Sequence, residues 1–150
     1  MIDQAFGIHW SHVAMLQVVA AIIQRAGTIL VGQRTPVQSH PLQWEFPGGK
    51  VEAGETPSQA LARELDEELA IRVEASTEIT RYPYTYPGRN PVELIFLRVD
   101  SFRGEPRNLI FHEMRWQPVS ALDQLDFLEG DREFLRGIYT GAYGNRDQED

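Results

Sequence analysis

The sequence predicts an α+β sandwich in which a mixed β-sheet lies between helices. Three observations carry that expectation. Short β-branched runs bounded by turn residues stand on both sides of a long central stretch with helical periodicity, and a second amphipathic stretch follows near the end. Strands, helix, strands, helix in that order belong to one domain whose helices cover a sheet.

Each element has a local reason. Leu16 to Gln24 is apolar and β-branched and reads as a buried strand, and Ala26-Gly27 turns the chain into a returning strand over Thr28 to Gln33. Residues 35 to 43 form a polar, proline-containing loop, and Trp44 to Gly49 lead into the central helix. Gly54 permits the turn before that helix, Thr56 is its N-cap, and Pro57 occupies the first position, where no hydrogen bond is lost. Ala60, Leu61, Leu65 and Leu69 draw an apolar stripe along it.

Val73 to Tyr86 alternates but is broken by Pro83 and Pro87, and Val92 to Val99 is the clearest later strand. Gly104-Glu105-Pro106 is the next turn, and Leu109 to Pro118 reads as another strand. Ser120 to Leu125 is a short helical turn, and Glu129 to Tyr139 a closing helix with Phe134, Leu135 and Ile138 inward. The expected organisation is an N-terminal extension over 1–14, one domain over 15–140 and a frayed tail over 141–150.

The chain has 150 residues, enough for one core, with ordinary apolar (42%) and charged (24%) content. It has no cysteine, which excludes disulfides and thiolate metal sites. No apolar run is long enough to span a membrane and no signal peptide is evident, so a cytoplasmic protein is expected. The net charge of −8 argues against a sequence-independent grip on duplex nucleic acid.

The chemistry is concentrated between Gly49 and Ile71. Glu64, Glu67 and Glu68 fall at i, i+3 and i+4, so a helix sets them on one face. Bare carboxylates there repel by a few tenths of a kcal/mol per pair. A hard divalent cation offsets this, since Mg²⁺ binds carboxylate oxygens and keeps positions for water and phosphate. Taken alone, such a face is more often solvated surface. Its company alters that: Pro47-Gly48-Gly49, then Glu55 and Arg63 at fixed offsets, then Arg63-Glu64-Leu65-Asp66-Glu67-Glu68. This run resembles the Nudix hydrolase signature, G-x5-E-x7-R-E-U-x-E-E-x-G-U with U a bulky aliphatic residue. Ala70 departs from it, standing where the family has glycine, and implies a slightly different helix exit with negative φ.

The resemblance covers about four-fifths of the chain and is weakest between 76 and 91. It implies a Nudix-type α/β/α sandwich and a MutT-type reaction. In that reaction (deoxy)nucleoside triphosphates are cleaved to the monophosphate and pyrophosphate with Mg²⁺, or Mn²⁺ in its place, in a monomer or homodimer. It implies that Glu64, Glu67, Glu68 and the Gly48 carbonyl hold metal, that Arg63 ties the helix to Glu55 beside Gly49, and that Arg34 contacts substrate. Glu64, Glu67 and Glu113 are the candidate catalytic carboxylates.

Lys50, the only lysine, stands beside the glycines within reach of phosphate oxygens. Asp131 falls where the family reads a base edge with asparagine. As an ionised aspartate it would only accept hydrogen bonds and select edges bearing N–H donors; its competing role is to cap the last helix. Leu16 and Phe46 serve equally as base contacts or core. Two rival functions remain. One is an RNA 5′-pyrophosphohydrolase guided by Arg81, Arg89, Arg98, Arg103, Arg107 and Arg115; the other is a non-catalytic nucleotide-binding module.

Overall fold

The computed structural model describes residues 15–143. The expected extension over 1–14 and residues 144–150 of the expected tail lie outside them. Among the described residues the strands divide between two four-stranded sheets rather than one. The first is mixed, in the order β5 (Gly48–Lys50), β1 (Leu16–Ile22), β7 (Val92–Arg103), β6 (Arg72–Tyr84). β1 runs parallel to β7, with Leu16 opposite Val92, and the other two pairs are antiparallel. In the second sheet β8 (Glu113–Pro118) lies along all of β3 (Thr28–Gln33), and β2 (Gln24–Arg25) and β4 (Trp44–Glu45) share the other edge of β3.

The apolar run over 16–24 is thus two elements. β1 belongs to the first sheet, and the chain crosses at Ile23 into β2 and the second. Ala26 (φ 50°) and Gly27 (φ 78°) both adopt positive φ, as a two-residue hairpin demands for strands of right-handed twist.

Period-two alternation sorts the core into two layers. Val19, Ala21, Ile23, Ile95, Leu97 and Val99 face helix α1 (Pro57–Leu69), packing on its Ala60, Leu61, Leu65 and Leu69. Ala20, Ile22, Leu94 and Phe96 face the other way, with Phe134 and Leu135 of α2 (Arg132–Thr140). Leu61, Leu65 and Leu69 are fully buried; burial of each stabilises the fold by about 1.5–3 kcal/mol. This is the expected α/β/α arrangement.

α1 begins as its sequence dictates. The Gln59 N–H donates to the Thr56 hydroxyl (3.2 Å), the Thr56 N–H donates to the Gln59 side-chain oxygen (2.9 Å), and Pro57 follows the cap. Its end differs from expectation. Ala70 takes the left-handed conformation (φ 58°, ψ 35°), its N–H donating to the Asp66 carbonyl, so alanine occupies the exit geometry that favours glycine. The last carbonyls of a helix need outside donors. Here they come from the loop after β7: Arg107 N–H to Leu69 O (2.8 Å) and Leu109 N–H to Glu68 O (3.1 Å). That task keeps 109–112 out of the strand expected there, and β8 starts at Glu113.

β6 runs on through Pro83, which sits opposite Glu93 on the outermost strand, where a missing N–H costs no ladder bond on the free edge. Val119–Gln124 and Glu129–Asp131 are 3₁₀ turns, the latter replacing the first turn expected of the closing helix. Of the segment expected to fray, 141–143 are described, and Tyr143 stacks on Phe134 with ring centroids 5.0 Å apart.

Candidate active site

Two glycines set the distance between loop and helix. A Cβ on Gly48 would collide with the Val19 carbonyl, and one on Gly49 with the carboxyl group of Glu64. Only bare backbone lets β5 lie between β1 and the glutamate face of α1. Across this contact the Gly48 N–H donates to Glu68 Oε1 at 3.3 Å.

The apolar stripe of α1 rotates Glu64 and Glu68 against the sheet. Glu68 is buried, whereas the Glu67 side chain is 59% exposed. Burial raises the Glu68 carboxyl well above the ordinary carboxylate range, reinforced by a hydrogen bond and charge from Glu64 and by the charge of Glu45. The Glu68 carboxyl therefore favours its protonated form.

Arg63 locks the loop to the helix. Its Nε and Nη2 form a fork on Glu55 (2.7 and 2.9 Å), Nη2 also reaches the Lys50 carbonyl (3.0 Å), and Nη1 reaches Glu64 (3.1 Å). The bond to Arg63, then that from the Glu52 N–H, lowers the Glu55 carboxyl to about 2. Glu67 lies farther from Nη1, at 3.6 Å. Of the two partners open to Arg63, Glu55 is the principal one.

The donor set can be weighed against a divalent metal. Among the described residues, no three His, Cys, Asp or Glu side chains converge closely enough to enclose an ion. Glu64 and Glu68 nevertheless supply what a hard cation takes: adjacent carboxyls, one bonded by Arg63 and the other by the Gly48 N–H. The residues fit the group.

The remaining predicted residues scatter. Lys50 is exposed at the end of β5. Arg34 spends its guanidinium on the loop that follows it, donating to the Ser39 carbonyl (2.7 Å), the Ser39 hydroxyl (3.0 Å) and Glu45 (3.1 Å). Glu113 pairs with Arg115 at 2.9 Å. Alternation along β8 turns Met114 and Trp116 toward the core of α1 and Glu113 away from it, and no hydrogen bond or ion pair among the described residues joins Glu113 to the α1 glutamates.

Asp131 stands at the N-cap position of α2, yet its side chain makes no capping bond. It is buried and faces the Phe46 backbone N–H, with Glu45 and Arg34 nearby. Burial first, then the charge of Glu45, pushes its carboxyl up to about 8. This corrects the expectation of an ionised, acceptor-only group: at neutral pH Asp131 largely keeps its proton and can donate as well as accept. Phe46 is core, its ring packed on Phe96, Phe127 and Phe134, while Leu16 is 39% exposed.

Sequence reasoning missed Glu45, whose place between buried Trp44 and Phe46 was the available signal. It also missed Tyr82 and Tyr86. Their hydroxyls hold Gly130: its N–H donates to Tyr86 Oη (3.1 Å), and Tyr82 Oη donates to its carbonyl (2.7 Å) while accepting from the Phe134 N–H (3.1 Å).

An α/β/α sandwich with a glycine pair seated on a glutamate-bearing helix defines a hydrolase organised around that helix. The NUDIX domain profile matches residues 14–138, and the chain belongs to the Nudix family, among the MutT-type hydrolases. It is 40% identical over 130 residues to an 8-oxo-dGTP diphosphatase of Haemophilus influenzae, spanning 86% of this chain and 95% of that one. It is 45% identical over 75 residues to the CTP pyrophosphohydrolase of Escherichia coli, spanning 50% and 56% of the two chains. The solution structure of the E. coli ORF135 protein aligns with a TM-score of 0.75 at 33% identity, covering 85% of this chain and 91% of that chain. Among the described residues no helix is long and apolar enough to cross a membrane.

Proposed function

We propose that this chain hydrolyses (deoxy)nucleoside triphosphates to the nucleoside monophosphate and pyrophosphate, with Mg²⁺, or Mn²⁺ in its place, as cofactor. The observation that carries this reading is buried Glu68 and half-buried Glu64 set against Gly48-Gly49, with the Arg63–Glu55 lock tying the loop to the helix. The relatives named as a diphosphatase and a pyrophosphohydrolase of nucleotides support it.

Glu64, Glu67, Glu68 and the carbonyl of Gly48 are the residues that would hold the cation. When bound, such an ion polarises phosphate oxygens and lowers the pKa of water. The chain does the rest. Gly49 gives Glu64 room beside the loop, and Arg63 fixes the orientation of Glu64 by bonding its carboxyl from one side. Glu64 is the proton acceptor for the attacking water in this reading, in preference to Glu113, which is engaged with Arg115 on the second sheet. Exposed Lys50 offers a cation to the phosphates, while Arg34 acts through the loop it anchors. Asp131, seated beside Phe46 and Glu45, reads the base edge, with both a donor and an acceptor to present.

The RNA 5′-end reading loses support because Arg81, Arg98, Arg103 and Arg115 are each paired with a carboxylate and offer little net charge to a phosphate chain. A panel of normal and oxidised nucleoside triphosphates and triphosphorylated RNA, assayed with Mg²⁺ and product identification, tests the proposal. Monophosphate plus pyrophosphate from free nucleotides is expected; release of orthophosphate, or turnover of RNA alone, would overturn it.

A further inference from the structure

The segment Tyr82-Pro83-Tyr84-Thr85-Tyr86 has no role in the phosphate chemistry, yet two of its hydroxyls, those of Tyr82 and Tyr86, converge on one residue. Gly130 directly precedes Asp131, and both its backbone polar groups are bonded to tyrosines, the N–H to Tyr86 and the carbonyl to Tyr82. Tyr82 also accepts the Phe134 N–H in the first turn of α2, where the Asp131 side chain makes no capping bond. One tyrosine therefore satisfies a helix end, which releases the Asp131 carboxyl from that task.

Tyr86 is aimed from two sides. Its ring packs edge-on against Tyr84, with centroids 4.7 Å apart and planes at 72°, and tilts against His40 at 5.1 Å. His40 belongs to the loop 35–43 that Arg34 anchors through Ser39. The fit around Gly130 is close: a Cβ there would stand 2.6 Å from Tyr86 Oη and 3.0 Å from Leu94. Burial pushes the Tyr86 phenol up to about 12 and raises that of Tyr82 further, so both remain protonated at neutral pH.

We propose that Tyr86 is a specificity-positioning residue: its hydroxyl on the Gly130 N–H, with its ring on the 35–43 loop, sets where Asp131 stands against the base. This rests on the reading of Asp131 as the base-edge contact. The residue touches no reacting atom, so its effect falls on discrimination between bases and not on phosphoryl chemistry.

The test measures kcat and KM for the nucleotide panel with Tyr86→Phe, Gly130→Ala, the double variant and Asp131→Ala, each holding Mg²⁺ and each checked by thermal melting. One neutral hydrogen bond corresponds to roughly a two- to tenfold change. Tyr86→Phe should raise KM for the preferred nucleotide by about that factor, leave kcat unchanged and compress the ranking of bases. Gly130→Ala, which pushes the hydroxyl away, should do the same, and the double variant should add little, since both remove one contact. An equal loss on all nucleotides, a fall in melting temperature alone, or full additivity overturns the proposal. If Asp131→Ala leaves the ranking intact, the base-edge reading fails and takes the proposal with it. If Asp131→Ala compresses the ranking and Tyr86→Phe does not, the tyrosine role alone fails.

Discussion

The glutamate face of α1 and the turn that carries Asp131 are both functional surfaces, but they are built over different chain distances. Around α1 the fixing contacts join residues 8, 13 and 20 positions apart: Arg63 to Glu55, Arg63 to the Lys50 carbonyl, Gly48 to Glu68. Around Asp131 they join residues 44, 48 and 52 positions apart, all of them from tyrosines of β6 or the loop after it to Gly130 or Phe134. A site closed over short loops must write its geometry into one contiguous run of sequence. A site closed by strand pairing leaves no such run.

The two regions also differ electrostatically. The Arg63–Glu55 fork lies near the surface and holds two opposite charges in contact, whereas Asp131, like Glu68 behind the fork, is buried and its carboxyl is raised. Substitutions should therefore separate into losses of chemistry at α1 and losses of selectivity at the turn.

The largest effect is expected at Glu67. Glu67→Gln removes an oxygen donor from the cation reading and should lower kcat by about 10²- to 10³-fold. Because Glu67 is mostly exposed, the melting temperature should hold or rise as repulsion falls. Unchanged turnover in that variant, or undiminished activity in excess chelator, would remove metal from the mechanism.

Next is the lock. Glu55→Gln weakens the fork on Arg63 and should lower kcat by about tenfold through misplacement of Glu64. Its carboxyl is depressed to about 2, so the stability it confers is present above the ordinary pKa near 4.5 and is lost as pH falls through 2. Acid unfolding curves between pH 5 and 2 should be flatter for the variant. Superimposable curves would show that the fork contributes nothing to the fold.

Asp131 has the opposite sign. Its folded-state carboxyl is raised from near 3.8 to about 8, so its stabilising contribution is full below about pH 4 and lost as pH rises through 8. The wild-type melting temperature should decline between pH 5 and 9 more steeply than that of Asp131→Asn. Asparagine resembles the protonated acid, so the variant's base ranking should match the wild type near pH 6 and diverge near pH 9. Parallel melting slopes would place the carboxyl in water and end the contrast between the two regions.

The smallest effect is at the exit of α1. Ala70 at φ 58° carries the cost of a left-handed alanine, about 1–2 kcal/mol, of which glycine's greater unfolded entropy would take back a part. Ala70→Gly should raise the melting temperature by about 2–4 °C for a chain of this size. A lower melting temperature would mean that glycine's greater unfolded-state entropy outweighs the strain relieved at this exit.

How far the sequence could be read follows the same division. Thr56, Pro57 and Gln59 dictate the start of α1 by bonds within a few residues, and the leucine stripe dictates its buried face. The Arg63–Glu55 lock was legible as what the family resemblance implied, and it closes within one contiguous run, whereas the steric roles of Gly48 and Gly49 emerged only from the packing of β5 on β1 and α1. The left-handed exit at Ala70 was misread, because a tertiary donor set, Arg107 and Leu109 on a distant loop, holds a geometry that local propensity would not choose.

By itself, the sequence determined the α+β class, the apolar stripe and N-cap of the central helix, and the glutamate face that helix carries. Those features depend on side-chain period and short-range bonding, which a linear pattern carries in full. Only the tertiary structure decided the split into two sheets at Ile23, the burial that leaves a proton on Asp131, and the seating of Gly130 by Tyr82 and Tyr86. Each depends on which strands become neighbours, and the free energy of a buried charge is set by the groups packed around it, not by its own place in the chain.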